Sequence, residues 1–167
     1  MNRDVPASGR NFAVRVTQLG PRGGVRAEFE LACRQVILPV MRVVERSRPL
    51  LGGTLGRRLD GPPNGPPDDD TTDDGLDADD LLVLRRGHTG ATELYDWWST
   101  ERSPVFRGSH NVEVVALADD GHAVTTWGFT DCHLVALRYS PLDAVDGHVL
   151  METADVSFET ITQIGHR

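Results

Sequence analysis

Lysine is missing from this chain altogether: all 17 basic residues are arginine. That bias points to a GC-rich genome more than to any physical requirement. No apolar run approaches the roughly 20 residues a membrane-spanning helix needs, and Met1–Phe12 carries no apolar core of the signal-peptide kind. A soluble protein made in the cytoplasm is the expectation. Cysteine is scarce too. Cys33 and Cys132 are far apart, and in that setting they read as buried small hydrophobes in a reducing compartment rather than as a disulfide.

The formal net charge of -8 is not spread over the chain. Asp60–Asp80 holds nine aspartates and no arginine, and removing those nine leaves 16 acidic residues against 17 arginines. Arguments from an acidic or basic domain, including nucleic-acid specificity, therefore fail for the rest. At 167 residues the chain supports one core and not two ordinary domains. We expect a single domain over residues 1–167, interrupted at 47–80 by a flexible acidic loop. Its Gly, Pro and Asp cannot bury enough surface to offset the entropy of ordering.

Leu81–Thr100, LLVLRRGHTGATELYDWWST, organises the remainder. An apolar strand ends at Arg85-Arg86-Gly87, and Thr89 or Thr92 is placed to cap a helix, with Glu93 and Asp96 in its acid-favouring first turn. Ala91, Leu94, Tyr95 and Trp98 recur at i, i+3, i+4 and i+7, one helix face. Ser103-Pro104 stops the helix. Trp97 and Trp98 point about 100° apart, so the one outside that face needs another apolar neighbour, which a second subunit could supply.

The other segments read as strands: Arg10–Gln18; Arg26–Leu31; Gln35–Glu45, which Pro39 makes an edge or bulged strand; His110–Ala118; Ala123–Asp131 with Cys132–Tyr139, as one or two strands; and His148–Thr162, broken or bulged near Ala154-Asp155. A helix over Val40–Arg48 is the alternative for part of the third. Asp119-Asp120-Gly121-His122 reads as a tight hairpin turn of the Asp-Gly kind. Connections are short and no strand–helix crossovers repeat, so pairing should be antiparallel.

Four stretches in order, RNFAVRV, LLVLRRGHTGATELYDWW, NVEVVALADDGHAVTTWGFTDCHLVAL and METADVSFETITQI, resemble the tail-tube family of contractile phages and phage-like injection particles, which is related to the ring proteins of type VI secretion systems. They cover Arg10–Leu31 and Leu81–Ile164. The resemblance implies a mainly β fold, an antiparallel barrel or sandwich with one flanking helix. It also implies a non-enzymatic subunit of the inner tube, in homo-hexameric rings whose paired strands join into one barrel and which stack, with sheath and baseplate or spike subunits as partners in a phage-tail-like particle. Arg86, Gly87, Leu94, Tyr95, Trp97 and Trp98 are the expected assembly residues. The second and third strands, Glu28–Cys33 and Val36–Arg42, depart from the family pattern, and the acidic insertion replaces a ring-contacting loop. A specialised baseplate-proximal ring is therefore expected. A ring-forming carrier that holds effectors is the alternative.

No catalytic, cofactor or metal site is expected. An EF-hand pattern with Gly75 at its sixth position fails at Thr72 and at Leu81. Cys132 and His133 are strand neighbours, pointing to opposite faces, so they cannot pair as nucleophile and base. Gly20–Gly24 lacks the lysine and the following helix of a phosphate loop. Core or subunit contacts are the expected role of Trp97, Trp98 and Trp127.

Overall fold

The computed structural model describes residues 11–41, 78–106, 108–145 and 147–166. The acidic insertion through residue 77, with the calcium-like pattern it contains, lies outside the described residues. So does the alternative helix from residue 42 onward.

Among the described residues eight strands pair antiparallel throughout. They are β1 (Phe12–Leu19), β2 (Val25–Leu31), β3 (Gln35–Ile37), β4 (Leu82–Gly87), β5 (Ser109–Leu117), β6 (Ala123–Tyr139), β7 (Met151–Ser157) and β8 (Thr160–Gly165). One α-helix, α1 (Glu93–Glu101), follows β4, and a 3-10 turn at Ala78–Asp80 precedes it. A first sheet runs β2-β1-β5-β6-β8 and a second β6-β7-β4-β3. The mainly β, one-helix antiparallel architecture is the expected one.

Period-two alternation explains the core. Val14 and Val16 of β1, Val112 and Val114 of β5 and Phe129 of β6 meet Leu82 and Leu84 of β4 and Ala154 and Val156 of β7. Leu94 and Trp97 of α1 close the same cluster.

β6 belongs to both sheets. The sequence leaves one or two strands open there, and the structure has one of 17 residues. Its first half pairs β5 and β8, its second half pairs β7. The passage between them is marked at Asp131, whose φ of 51° is in the left-handed region. The β5–β6 register shifts beside it, so the residue forms a bulge that redirects the strand.

Several local expectations are corrected. The last segment breaks at Phe158-Glu159, while at Ala154-Asp155, within β7, the ladder is bulged and not broken. The extra residue is on the partner strand, between Leu134 and Ala136 of β6 and opposite Val156 and Asp155, and β7 continues past it. The third strand stops at Ile37, before Leu38-Pro39, because proline has no N–H for the ladder; it is an edge strand as expected but only three residues long. At 118–122, Asp119 and Asp120 keep negative φ and only Gly121 is left-handed, at 87°. The N–H of Gly121 donates to Ala118 O and that of Ala118 to His122 O, which is a type I turn with a glycine bulge rather than a two-residue turn.

Candidate functional site

The helix that the sequence singles out is held at both ends by buried polar groups. Alternation along β4 puts Arg86 on the core face in phase with Leu82 and Leu84, where it is 4% exposed. A buried guanidinium needs partners. Its Nε donates to Glu152 Oε2 at 2.6 Å, Nη1 to Glu93 Oε2 at 3.0 Å and Nη2 to Ala91 O at 3.1 Å. Glu152 stands opposite Arg86 across the β4–β7 ladder, and its other oxygen lies 2.8 Å from His88 Nδ1. Burial opposes the charge on Arg86, but Glu152 and Glu93 more than offset it and raise its pKa. Glu93 is lowered by its own backbone N–H at the helix start and by Arg86. The end of β4, the loop after it and the first turn of α1 are thereby one unit.

At the other end Glu101 accepts Trp97 Nε1–H at 2.8 Å, and its second oxygen lies 3.1 Å from His133 Nδ1. Trp97 stacks on His110 with ring centroids 4.5 Å apart. His110, 1% exposed, has Nδ1 3.6 Å from Glu101 Oε1, close enough to interact with the carboxylate but too far for a hydrogen bond, and that nitrogen makes none. Burial works against the Glu101 carboxylate, yet His110, His133 and Trp97 outweigh it and hold its pKa down to about 2.

Between these anchors α1 turns Tyr95 outward, 49% exposed, beside the half-buried Trp98 at 5.8 Å between centroids. Arg102 Cζ sits 4.7 Å over the Trp98 ring. Among the described residues β2 and β8 form the two outer edges of the first sheet and β3 an edge of the second. The thiols are set apart from chemistry: burial pushes Cys33 up to about 11 and Cys132 up to about 12. Cys132 is buried while His133 is exposed on the opposite face, as strand geometry requires. Among the described residues no group of three or more His, Cys, Asp or Glu is placed to hold a metal ion, and no helix is long and apolar enough to cross a membrane.

Residues 74–162, more than half of the chain, match the model of the T4-like virus tail tube protein gp19 family. The chain belongs to this tail tube family. The family's proteins are structural tube proteins and not enzymes. Solved structures share the fold of this tail tube protein. One is the anti-feeding prophage baseplate, at 21% identity and TM-score 0.61, covering 99% of this chain and 98% of the other. Another is the PVC extracellular contractile injection system sheath-tube complex, at 15% identity and TM-score 0.59, with 96% and 93% covered. The PVC sheath/tube terminator has 15% identity and TM-score 0.61, with 96% and 97% covered. A search of curated proteins finds no match.

The residues expected at the assembly surface divide into two groups in this tail tube protein. Arg86, Leu94 and Trp97 are buried inside the subunit, and Gly87 ends β4 where an added Cβ would lie 3.3 Å from Val149. Tyr95 faces solvent, and Trp98 is half-buried, partly packed against the core cluster. The inward face is thus Leu94, Trp97 and Glu101 (i, i+3, i+7), not the expected Ala91, Leu94, Tyr95 and Trp98. The hydrogen bond and the stacking on Trp97 rotate the helix that way. Thr92 is the N-cap, but its hydroxyl donates to Asp96 Oδ2 at 2.8 Å and caps no backbone N–H. Sequence reasoning missed Glu152 and Glu101, and with them the partner that His110 and His133, read as structural histidines, would find. A signal existed for the first, since Glu152 falls in phase with the core residues Ala154 and Val156.

Proposed function

We propose that this tail tube protein is the inner-tube subunit of a phage-like contractile injection system, one of six copies in a ring, with rings stacked into a hollow tube and sheath and baseplate subunits as its partners. Its place is a phage-tail-like particle assembled in the cytoplasm. Residues 1–167 act as one tube domain with the insertion at 47–80. The observation that carries this reading, beside the family match, is that among the described residues the first sheet ends in two strands without an outer partner, β2 and β8, on its opposite flanks. In a ring the β2 edge of one copy meets the β8 edge of the next and removes both. Tyr95 and Trp98 then supply the subunit contact, and Arg86, Gly87, Leu94 and Trp97 hold the helix that presents them. Size-exclusion chromatography with light scattering and negative-stain imaging tests the ring: particles of six subunits are expected, and a stable monomer overturns it.

A narrower reading places the chain at the baseplate-proximal ring, and the three-residue β3 beside a Gly/Pro/Asp-rich insertion favours it. Imaging of whole particles tests that placement, and many copies along the tube overturn it. A carrier ring is the remaining alternative, and it requires a co-expressed effector to co-purify in the lumen.

A further inference from the structure

The outward face of the second sheet carries positive charge that the described part of the subunit does not neutralise. Strand alternation puts Arg85 of β4 on the side opposite Leu84. The register then lines it up with Gln35 of β3 on one flank and Thr153 of β7 on the other, with Arg138 of β6 beyond. Arg85 Nη1 donates to Gln35 Oε1 at 3.1 Å, and the Arg34 N–H donates to Arg85 O at 2.8 Å. Arg138 is neutralised: its Nη1 lies 2.8 Å from Asp155 Oδ2, and its Nη2 donates to Asp155 Oδ1 at 2.9 Å. Arg15 and Arg86 also meet carboxylates. Among the described residues no carboxylate forms a salt bridge with Arg34 or Arg85. These two line an open cleft of about 470 Å³ together with Gln35, Met151 and Thr153.

Guanidinium groups beside an amide and a hydroxyl suit a carboxylate, which accepts two parallel N–H donors from one arginine. The cleft holds far more than a single inorganic anion, and Met151 gives it an apolar wall for the methylenes of an acidic side chain. Met151 also leads out of the cleft. It pairs with Gly87 in the next row of the same face, about 7 Å along the strands. Gly87 puts no side chain over that row. Past it, Met151 borders a second, mainly apolar recess of about 610 Å³ inside the loop from Ser140 to Leu150, walled by Pro141, Leu142, Val149 and Leu150 among others. The loop is fixed at its base, where the Ser140 N–H donates to Met151 O at 2.9 Å and the Met151 N–H to Ser140 Oγ at 3.0 Å. Leu142 and Val149 stay 86% and 64% exposed at this recess. Exposed apolar groups gathered on an ordered loop mark a contact site.

We propose that this face is a docking groove for an extended acidic segment of a partner protein, with a Glu or Asp side chain on Arg34 and Arg85 and a following apolar residue in the recess behind Met151. Charge selects the partner, and the recess on one side of the arginines sets its direction. The groove uses none of the residues assigned to the ring contact and does not depend on whether rings form.

The test is fluorescence anisotropy on the full chain with three labelled peptides: Glu-Glu-Ser-Leu-Ser-Leu, Gln-Gln-Ser-Leu-Ser-Leu and Glu-Glu-Ser-Ser-Ser-Ser. The first should bind, more weakly as salt is added, and the other two should bind about tenfold more weakly or worse. Arg34→Gln with Arg85→Gln should remove the preference for Glu over Gln. Leu142→Asn with Val149→Asn should remove the preference for Leu over Ser and leave the preference for Glu. All four residues are exposed, so circular dichroism should stay unchanged. A wild-type chain that does not bind the first peptide overturns the proposal, as does equal binding of the Gln peptide or full binding by the arginine variant. Inorganic phosphate that binds as tightly as the first peptide would assign the cleft to a free ion and overturn it too.

Discussion

The two ends of α1 solve one problem with different chemistry. At the Glu93 end the buried charge is a guanidinium, charged at every physiological pH, with each donor group committed to a fixed acceptor. At the Glu101 end the charge is a part-buried carboxylate among two imidazoles and an indole, one imidazole nitrogen making no hydrogen bond. The first is a geometric lock, tying β4 to β7 and the helix. The second holds through a carboxylate, Glu101, that acid can neutralise. The helix is therefore pinned rigidly where it follows β4 and held adjustably where it meets the bend of β6.

Breaking the lock should have the largest effect. Arg86→Met leaves Glu152 buried without its cation and should cost about 3–5 kcal/mol in urea unfolding, whereas Arg86→Met with Glu152→Leu should recover most of that loss. If the double variant is as unstable as the single one, the charges are not what makes this end rigid.

The other end should answer to acid instead. The Glu101 pKa is depressed from 4.5 to about 2 in the folded state, so its contribution is complete above the unfolded value and is lost as pH falls between those two values. Up to about 3 kcal/mol should disappear across that window. Glu101→Gln should remove this step from a stability–pH titration, and an unchanged profile would place the acid sensitivity elsewhere.

Between the anchors, the two tryptophans should separate folding from assembly. Trp97→Ala should cost about 3–5 kcal/mol of folding stability. Trp98→Ala should cost about 1–2 kcal/mol yet weaken ring formation more, as read by thermal melting beside size-exclusion chromatography. A collapsed melting temperature with rings intact for Trp98→Ala would reassign that residue to the core. The smallest effect is expected at Asp131. A β-branched residue resists positive φ, so Asp131→Val should cost roughly 1–2 kcal/mol and Asp131→Gly almost nothing.

The same comparison shows what sequence reasoning can reach. The strand, the arginine pair and the helix between Leu81 and Glu101 were legible because their signals are local: period two, then period 3.6, then proline. The antiparallel β architecture followed from short connections. The partners were not legible. Glu152 is 66 residues from Arg86, and only the β4–β7 register brings them together. The helix face was misassigned because Tyr95 and Trp98 satisfy the spacing as well as Trp97 does. What decides between them is His110, a residue of another strand. The long β6 was ambiguous because its bend depends on one backbone angle at Asp131.

That bend has a mechanical meaning. In a sandwich whose layers are joined only by loops, a force on one layer is resisted by side-chain packing between them. Here a single backbone crosses from one layer to the other in mid-strand, clamped by β5 and β8 before Asp131 and by β7 after it. Sliding the layers past each other requires unzipping hydrogen bonds on both sides of the bend at once. Tension applied to either layer is carried along a continuous covalent strand, as in a tie rod.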